Sequence, residues 1–351
     1  MVDKNETSDE TLDVMTDASV VGKPVLNERL EYYLDRTVRE LIELHSDALP
    51  PEQQERHRLY ALTLMSLVHH YWNGNKNGRG GEYPWNESPD AEDGPYLDRD
   101  YLGHNIAAIA VDGDGRVIDF DFNHNRIFNS SVEHAEARLV RRVYGLAQVQ
   151  DSWNTNDYKP HMGAMDDYNT LQNVTLYTSL ESCSQCAGIM ALGRVKEIVY
   201  LQSDPGMYMI GNILRNLTSG TKLQAPLPIA AREVGLSYYD RLNNAYVSYT
   251  KQVAEKPFFI HTKGKKKGHE DRSDSITSFL CTKSARDIYG EAARECSAYL
   301  GGAKQLEYPD FKPLDKDGRE VENALTNQEC LKELKCFLDY SFANGRRGTP
   351  H

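Results

Sequence analysis

The chain has 351 residues, 40% of them hydrophobic and 26% charged, with a net charge of −12. That length serves one enlarged domain or two ordinary ones, and no run of about 18 apolar residues is present, so no membrane-spanning helix is expected. The acidic balance argues against a surface that grips phosphates throughout, because such proteins carry a basic footprint. Six cysteines are too sparse for a disulfide scaffold.

Residues 1–20 hold six acids against one lysine and few apolar groups, which predicts a disordered tail. The stretch lacks the basic end and apolar run of a secretory signal, so a cytoplasmic protein is expected. Leu26, Leu30, Leu34, Val38 and Leu41 recur on one face of a helix over 25–45. Pro51 opens a second helix with Leu59, Leu62, Met65 and Val68 at the same period. A Gly/Asn/Pro-rich loop follows.

Ile106–Val111 and Val117–Phe122 read as a hairpin around the GDG turn at 113–115. A helix over 132–147, a polar insert over 148–173 and a strand over Val174–Leu180 come next. Then follow a helix over Cys183–Arg194, a strand over Glu197–Leu201, a helix near 206–218 and a short strand near Ala231–Val234. This β-β-α-β-α-β-α-β order predicts an α/β sandwich with some parallel strands. Beyond it, 263–275 (KGKKKGHEDRSDS within it) reads as a charged linker, and 276–300 and 321–341 read as helical. The expected organisation is a tail (1–20), an N-terminal helical extension (21–100), a core (101–262), the linker and a C-terminal helical extension (276–351).

Two short motifs carry chemistry. His134-Ala135-Glu136 lies on one helix, and Cys183-Ser184-Gln185-Cys186 starts another. Each half alone has an ordinary reading: a core or surface histidine, a redox pair, or thiols made acidic by a helix N-terminus. Together they offer a His/Cys/Cys set suited to zinc, with the fourth tetrahedral position left for water, the mark of a catalytic rather than structural site. Glu136 is two residues past the ligand, where a carboxylate can take a proton from water and hand it to a leaving amine. H-x-E followed by C-x-x-C is the general signature of zinc deaminases. Cys281, Cys296, Cys330 and Cys336 read as ordinary thiols.

The segment AAIAVDGDGRVIDFDFNHNRI…EHAEARL with LYTSLESCSQCAGIMALGRVKEIVYLQSD resembles the cytidine-deaminase-like superfamily over about 100–235. It is most similar to the branch of tRNA adenosine, guanine and deoxycytidylate deaminases, whose first zinc ligand is a histidine. The resemblance implies a three-layer α/β/α sandwich with a mixed sheet of about five strands, a Zn2+ cofactor and a homo-oligomer, expected as a homodimer. It also implies that Asn123, eleven positions before His134, contacts the ribose. Ala135, Ser182, Asp204 and Tyr208 are the other expected substrate contacts.

Two departures from the pattern matter. The family has proline directly before the first cysteine and this chain has Ser182, which can cap a helix instead but alters the pocket edge. The ligand halves stand 49 positions apart, a long separation for this branch, and the 148–173 insert carries Trp153, Tyr158, His161, Asp166, Asp167 and Tyr168. A lid, a subunit contact and a plain surface loop are all open readings of it. The expected function is hydrolytic removal of an exocyclic amine from a nucleobase, nucleoside or nucleotide. A deaminase acting on tRNA or single-stranded nucleic acid is the alternative, with Arg138, Arg141 and Arg142 or the KGKKK loop supplying the path. A non-catalytic structural zinc module is the third reading.

Overall fold

The computed structural model describes residues 28–44, 48–72, 102–148, 171–221, 224–255, 258–260, 269–271, 274–314 and 318–344. The expected tail, most of the 148–173 insert with His161, and the KGKKK run lie outside them.

The centre is a five-stranded mixed sheet in the order β2-β1-β3-β4-β5, made of β1 (Ala107–Val111), β2 (Val117–Phe122), β3 (Thr175–Thr178), β4 (Glu197–Tyr200) and β5 (Leu227–Ala230). β1 runs antiparallel to β2 and β3, while β3, β4 and β5 run parallel to one another. Side-chain alternation divides the two faces. In β2, Asp119 and Asp121 bind arginines of α4 (Ala135–Gln148), whereas Phe122 packs on Tyr71 and Phe120 on Phe337. α4 shares its side of the sheet with α5 (Ser184–Leu192) and α6 (Ile210–Thr218). The opposite face is covered by α3 (Pro51–His70), α9 (Lys283–Leu300) and α10 (Asn327–Asn344). The result is a three-layer α/β/α sandwich around a mixed sheet.

α3 is more deeply placed than its sequence period suggests. Besides Leu59, Leu62, Met65 and Val68, it buries Tyr60, Ala61, Leu64 and Leu67, because α9 and α10 close over the side facing away from the sheet. Its polar first turns are buried too, and each group finds a partner as burial requires. Glu55 accepts from the Glu307 and Tyr308 amides at 2.8 and 2.9 Å. Arg56 donates to the Leu325 carbonyl and to Asn327. His57 Nδ1 lies 2.9 Å from the Tyr177 hydroxyl beneath the sheet.

Several expectations need correction. The single helix over 25–45 is two pieces, α1 (Glu28–Leu34) and α2 (Val38–Ile42). Thr37 and Glu40 form a capping box that starts α2 afresh, and Leu34 and Val38 are exposed rather than core-facing. The helix near 206–218 is a 3-10 turn at Pro205–Met207 followed by α6, with Tyr208 and Met209 left-handed between them (φ 54° for both). The strand near 231–234 is a 3-10 turn; the strand itself is β5 just before it. Pro228 lies within β5, and an edge strand tolerates its missing donor. An amphipathic helix, α7 (Tyr238–Glu255), has no counterpart in the sequence reading. Inside the expected linker, His269–Asp271 forms β7, antiparallel to β6 (Phe258–Ile260). The region 276–300 divides into α8 (Ile276–Phe279) and α9, which Thr282 caps. Among the described residues, no helix is long and apolar enough to cross a membrane.

Burial holds His57 neutral, with its pKa lowered to about 4 despite the Glu197 charge nearby. Below the ordinary histidine pKa, the unfolded chain therefore takes up a proton that the folded one refuses. Stability from this group is present above pH 6.5 and is lost as pH falls towards 4. Urea unfolding at pH 7 and pH 5 should differ by about 2 kcal/mol more in the parent than in His57→Gln.

Candidate metal centre

β2 ends at Phe122, and Asn123 follows in the turn that leads to α4. The Asn123 side-chain oxygen accepts from the Ala135 amide at 2.7 Å, and the His124 amide donates to the Glu133 carbonyl at 2.9 Å. These bonds satisfy otherwise unpaired groups at the helix start and fix where α4 begins. His134 stands just before the first turn and Glu136 lies within it. Backbone approach here is close: a Cβ on Gly103 would sit 2.1 Å from the Asn123 carbonyl oxygen.

The second half comes from the β3–α5 connection. Cys183 is the N-cap of α5 in an extended conformation, and Cys186 lies in the first turn and is buried. The Gln185 side chain donates to the Val132 carbonyl at 2.9 Å, tying α5 to the segment preceding His134. His134 Nδ1 is 3.3 Å from Cys183 Sγ and 3.7 Å from Cys186 Sγ, and the two sulfurs are 3.6 Å apart. A tetrahedral zinc with Zn–S of about 2.3 Å and Zn–N of about 2.0 Å sets edges of about 3.8 Å between sulfurs and about 3.5 Å between sulfur and nitrogen. The three donors therefore span one face of a zinc tetrahedron. Among the described residues, no other group of three His, Cys, Asp or Glu donors gathers in this way.

Glu136 is buried, with Oε2 3.6 Å from Cys186 Sγ and Oε1 accepting from the Ser182 hydroxyl at 3.2 Å. Burial raises its pKa, and the Cys183 charge adds to the effect. The hydrogen bonds from Cys186 and His134 pull Cys183 down to about 4, so one thiolate is ready for a cation without any metal. Cys186 moves the opposite way because it shares a proton with Cys183 and is buried beside Glu136.

The remaining expected residues are less enclosed. Asp204 caps the 3-10 turn, one carboxylate oxygen accepting from the Gly206 amide at 2.9 Å. Tyr208 is 77% exposed on its left-handed backbone. Sequence reasoning missed Glu181, whose Oε2 accepts from the Asp204 amide at 3.0 Å and so joins the ends of β3 and β4. Burial pushes its carboxyl up to about 7. The lone acid at the end of an apolar strand was the available signal. Glu181 and Ser182 also border a small cavity with Ala187, Met190, Tyr200 and Asn212. The arginines considered for a nucleic-acid path are engaged by acids: Arg138 and Arg142 with Asp121, Arg142 also with Asp119, and Arg138 and Arg141 with Glu133.

Residues 98–221 match a family model described as MafB19-like deaminase. No curated protein matches the chain. A solved structure from work on A-to-I editing by tRNA:A34 deaminases at the wobble position is 26% identical, with 36% of this chain and 82% of that one covered at a TM-score of 0.26. Guanine deaminase from Bacillus subtilis is 23% identical over 29% of this chain and 53% of its own, with a TM-score of 0.23. Guanine deaminase from Nitrosomonas europaea is 18% identical over 38% and 71%, with a TM-score of 0.25.

The donor geometry predicts that cobalt(II) titration will reach one equivalent per chain, with the intense visible bands of tetrahedral thiolate coordination. Cys186→Ser should remove those bands. Gly103→Ala should lower the melting temperature and weaken metal retention together, since its methyl group displaces the backbone that seats α4.

Proposed function

Taking residues 98–221 as a deaminase domain, we propose that the chain is a zinc-dependent hydrolytic deaminase. It removes the exocyclic amine of a nucleobase presented as a free base, nucleoside or nucleotide. The observation carrying this reading is the approach of His134 Nδ1, Cys183 Sγ and Cys186 Sγ to within 3.7 Å of one another with buried Glu136 alongside. His134, Cys183 and Cys186 would hold the metal. Zinc there acts as a Lewis acid that makes water a competent nucleophile near neutral pH.

The protein's own groups do the rest. Glu136, with its raised pKa, takes a proton from the attacking water and delivers it to the ring nitrogen. It then takes the remaining proton of the water-derived hydroxyl and delivers it to the departing amine, so that the carbonyl forms as the carbon–nitrogen bond breaks and ammonia leaves. Ser182 holds one Glu136 oxygen by its hydroxyl hydrogen bond, so the other oxygen is oriented towards Cys186. Asn123 Oδ1 is engaged by the Ala135 amide, which leaves its amide nitrogen for the proposed substrate contact. Ala135, Asp204 and Tyr208 complete the proposed lining. A purely structural zinc would call for a fourth protein ligand, whereas the described cluster supplies three.

The balance of charge supports a small substrate, because Arg138, Arg141 and Arg142 are paired with carboxylates instead of forming a phosphate track. One observation favours a polymer: Tyr208 holds its ring out in solvent, where an unpaired base could stack. Ammonia release by the zinc-loaded protein should be followed with bases, nucleosides, nucleotides, single-stranded DNA and tRNA. Turnover of a small molecule is the expected result, and Glu136→Gln should lower kcat by about 10²- to 10⁴-fold without loss of zinc. Turnover confined to the polymers would overturn the substrate class. A Glu136→Gln protein as active as the parent would overturn the mechanism.

A further inference from the structure

α4 begins directly after His134, carries Glu136 in its first turn and has three arginines further along. Two of these, Arg138 and Arg142, are one turn apart and so lie on the same face of the helix. That face meets β2, an edge strand of the sheet whose alternation directs Asp119 and Asp121 towards it. Asp121 is 0% exposed. One of its oxygens lies 3.2 Å from Arg138 Nε and 3.0 Å from Arg142 Nη1, and the other accepts from the Phe122 amide at 2.8 Å. Arg142 reaches on to Asp119 at 3.0 Å. Arg138 also reaches back to Glu133 at 2.6 Å, the residue immediately before His134.

A chain of charge therefore runs from the edge strand through Asp121 and Arg138 to Glu133, ending one residue from the first of the three donors. We infer that Asp121 is a positioning residue for the metal centre, clamping α4 to β2 so that His134 stays at bonding distance from the cysteines on α5. The inference rests on the metal-site reading given above.

The physical reason is desolvation. Two guanidiniums on one helix face are held under cover because a fully buried carboxylate compensates them. Removing that carboxylate leaves Arg138 only Glu133 and Arg142 only Asp119 among these acids, so the one group that joins both arginines to a single point of β2 is lost and α4 is freed to shift outward towards water. α5 does not share this clamp: it follows directly from β3, which β1 separates from β2, so its backbone is held by a different strand. The Gln185–Val132 and Ser182–Glu136 bonds that join it to α4 and its lead-in are single hydrogen bonds. A shift of α4 consequently changes the His134-to-cysteine distances instead of carrying both halves along. Asn123, two residues beyond Asp121, would transmit the same shift through its bond to Ala135.

The test compares zinc affinity, by competition with a chelating dye, and the visible spectrum of the cobalt(II) form. The proteins are the parent, Asp121→Asn and Glu55→Gln. Glu55 is an equally buried carboxylate on the far side of the sheet, engaged only in holding a loop and Asn327. Asp121→Asn should bind zinc about 10- to 100-fold more weakly, with altered cobalt bands, as loss of an outer-sphere support does elsewhere. Glu55→Gln should lower the melting temperature and leave zinc affinity and spectrum at parental values. Affinity of Asp121→Asn within twofold of the parent would overturn the inference, as would an equal loss in Glu55→Gln. Should Asp121→Asn not fold, Arg142→Lys carries the test: it keeps a charge but loses the fork between Asp119 and Asp121. A loss of about threefold or more is expected there, and parental affinity overturns the inference. A parent that binds no zinc would instead sink the metal-site reading itself, and this inference with it.

Discussion

The hydrogen bond from the Ala135 amide to the Asn123 side chain decides where α4 begins. Successive residues of an α-helix are rotated by about 100° around its axis. A helix starting one residue earlier would thus turn His134 away from the cysteines and Glu136 away from Ser182. The Gly103 backbone lies close against that of Asn123, which leaves no room for a side chain at 103. α5 starts under a related constraint, with Cys183 extended at the N-cap and Cys186 in the first turn. Two helix starts, each set by contacts from a neighbouring segment, give the spacing of the three donors.

Electrostatics explains why such an acidic chain keeps arginines beside its candidate site. A buried carboxylate is costly unless it is paired and hydrogen bonded. Asp119 and Asp121 each hold the next backbone amide of their own strand and face guanidiniums from α4. Burial still pushes Asp119 up to about 7, so its pairing with Arg142 does not fully offset desolvation. The same groups that make the sequence look locally basic are therefore internal connectors between helix and strand. Net charge alone could not have revealed this, because it records no partners.

Much of the fold was legible wherever a period or a turn was explicit. The β1–β2 hairpin, α4, β3, α5 and β4 lie close to where alternation, GDG and the strand-to-cysteine junction put them. The donor set could be read because His134, Glu136, Cys183 and Cys186 are all confined to short motifs. Where sequence reasoning failed, long-range context had overridden local preference. Leu34 and Val38 share a helical stripe, yet the capping box at Thr37 breaks it and both remain exposed. Glu181 and Gly103 gain their significance from residues more than twenty positions away or from the opposing backbone, which no local pattern encodes.

The burial of α3 on all sides bears on how the chain reaches its folded state. Its partners in α9 and α10 lie more than 200 residues further along, and contacts of such long separation form slowly. During synthesis, at about 5 to 20 residues per second, α3 emerges well before anything exists to cover its outer side. For that interval Leu59, Leu62, Leu64 and Leu67 have no completed niche, and the nascent chain presents an adhesive helix to its surroundings. Closure of the sheet's second face therefore waits for α9 and α10, which follow every strand of the sheet in the chain.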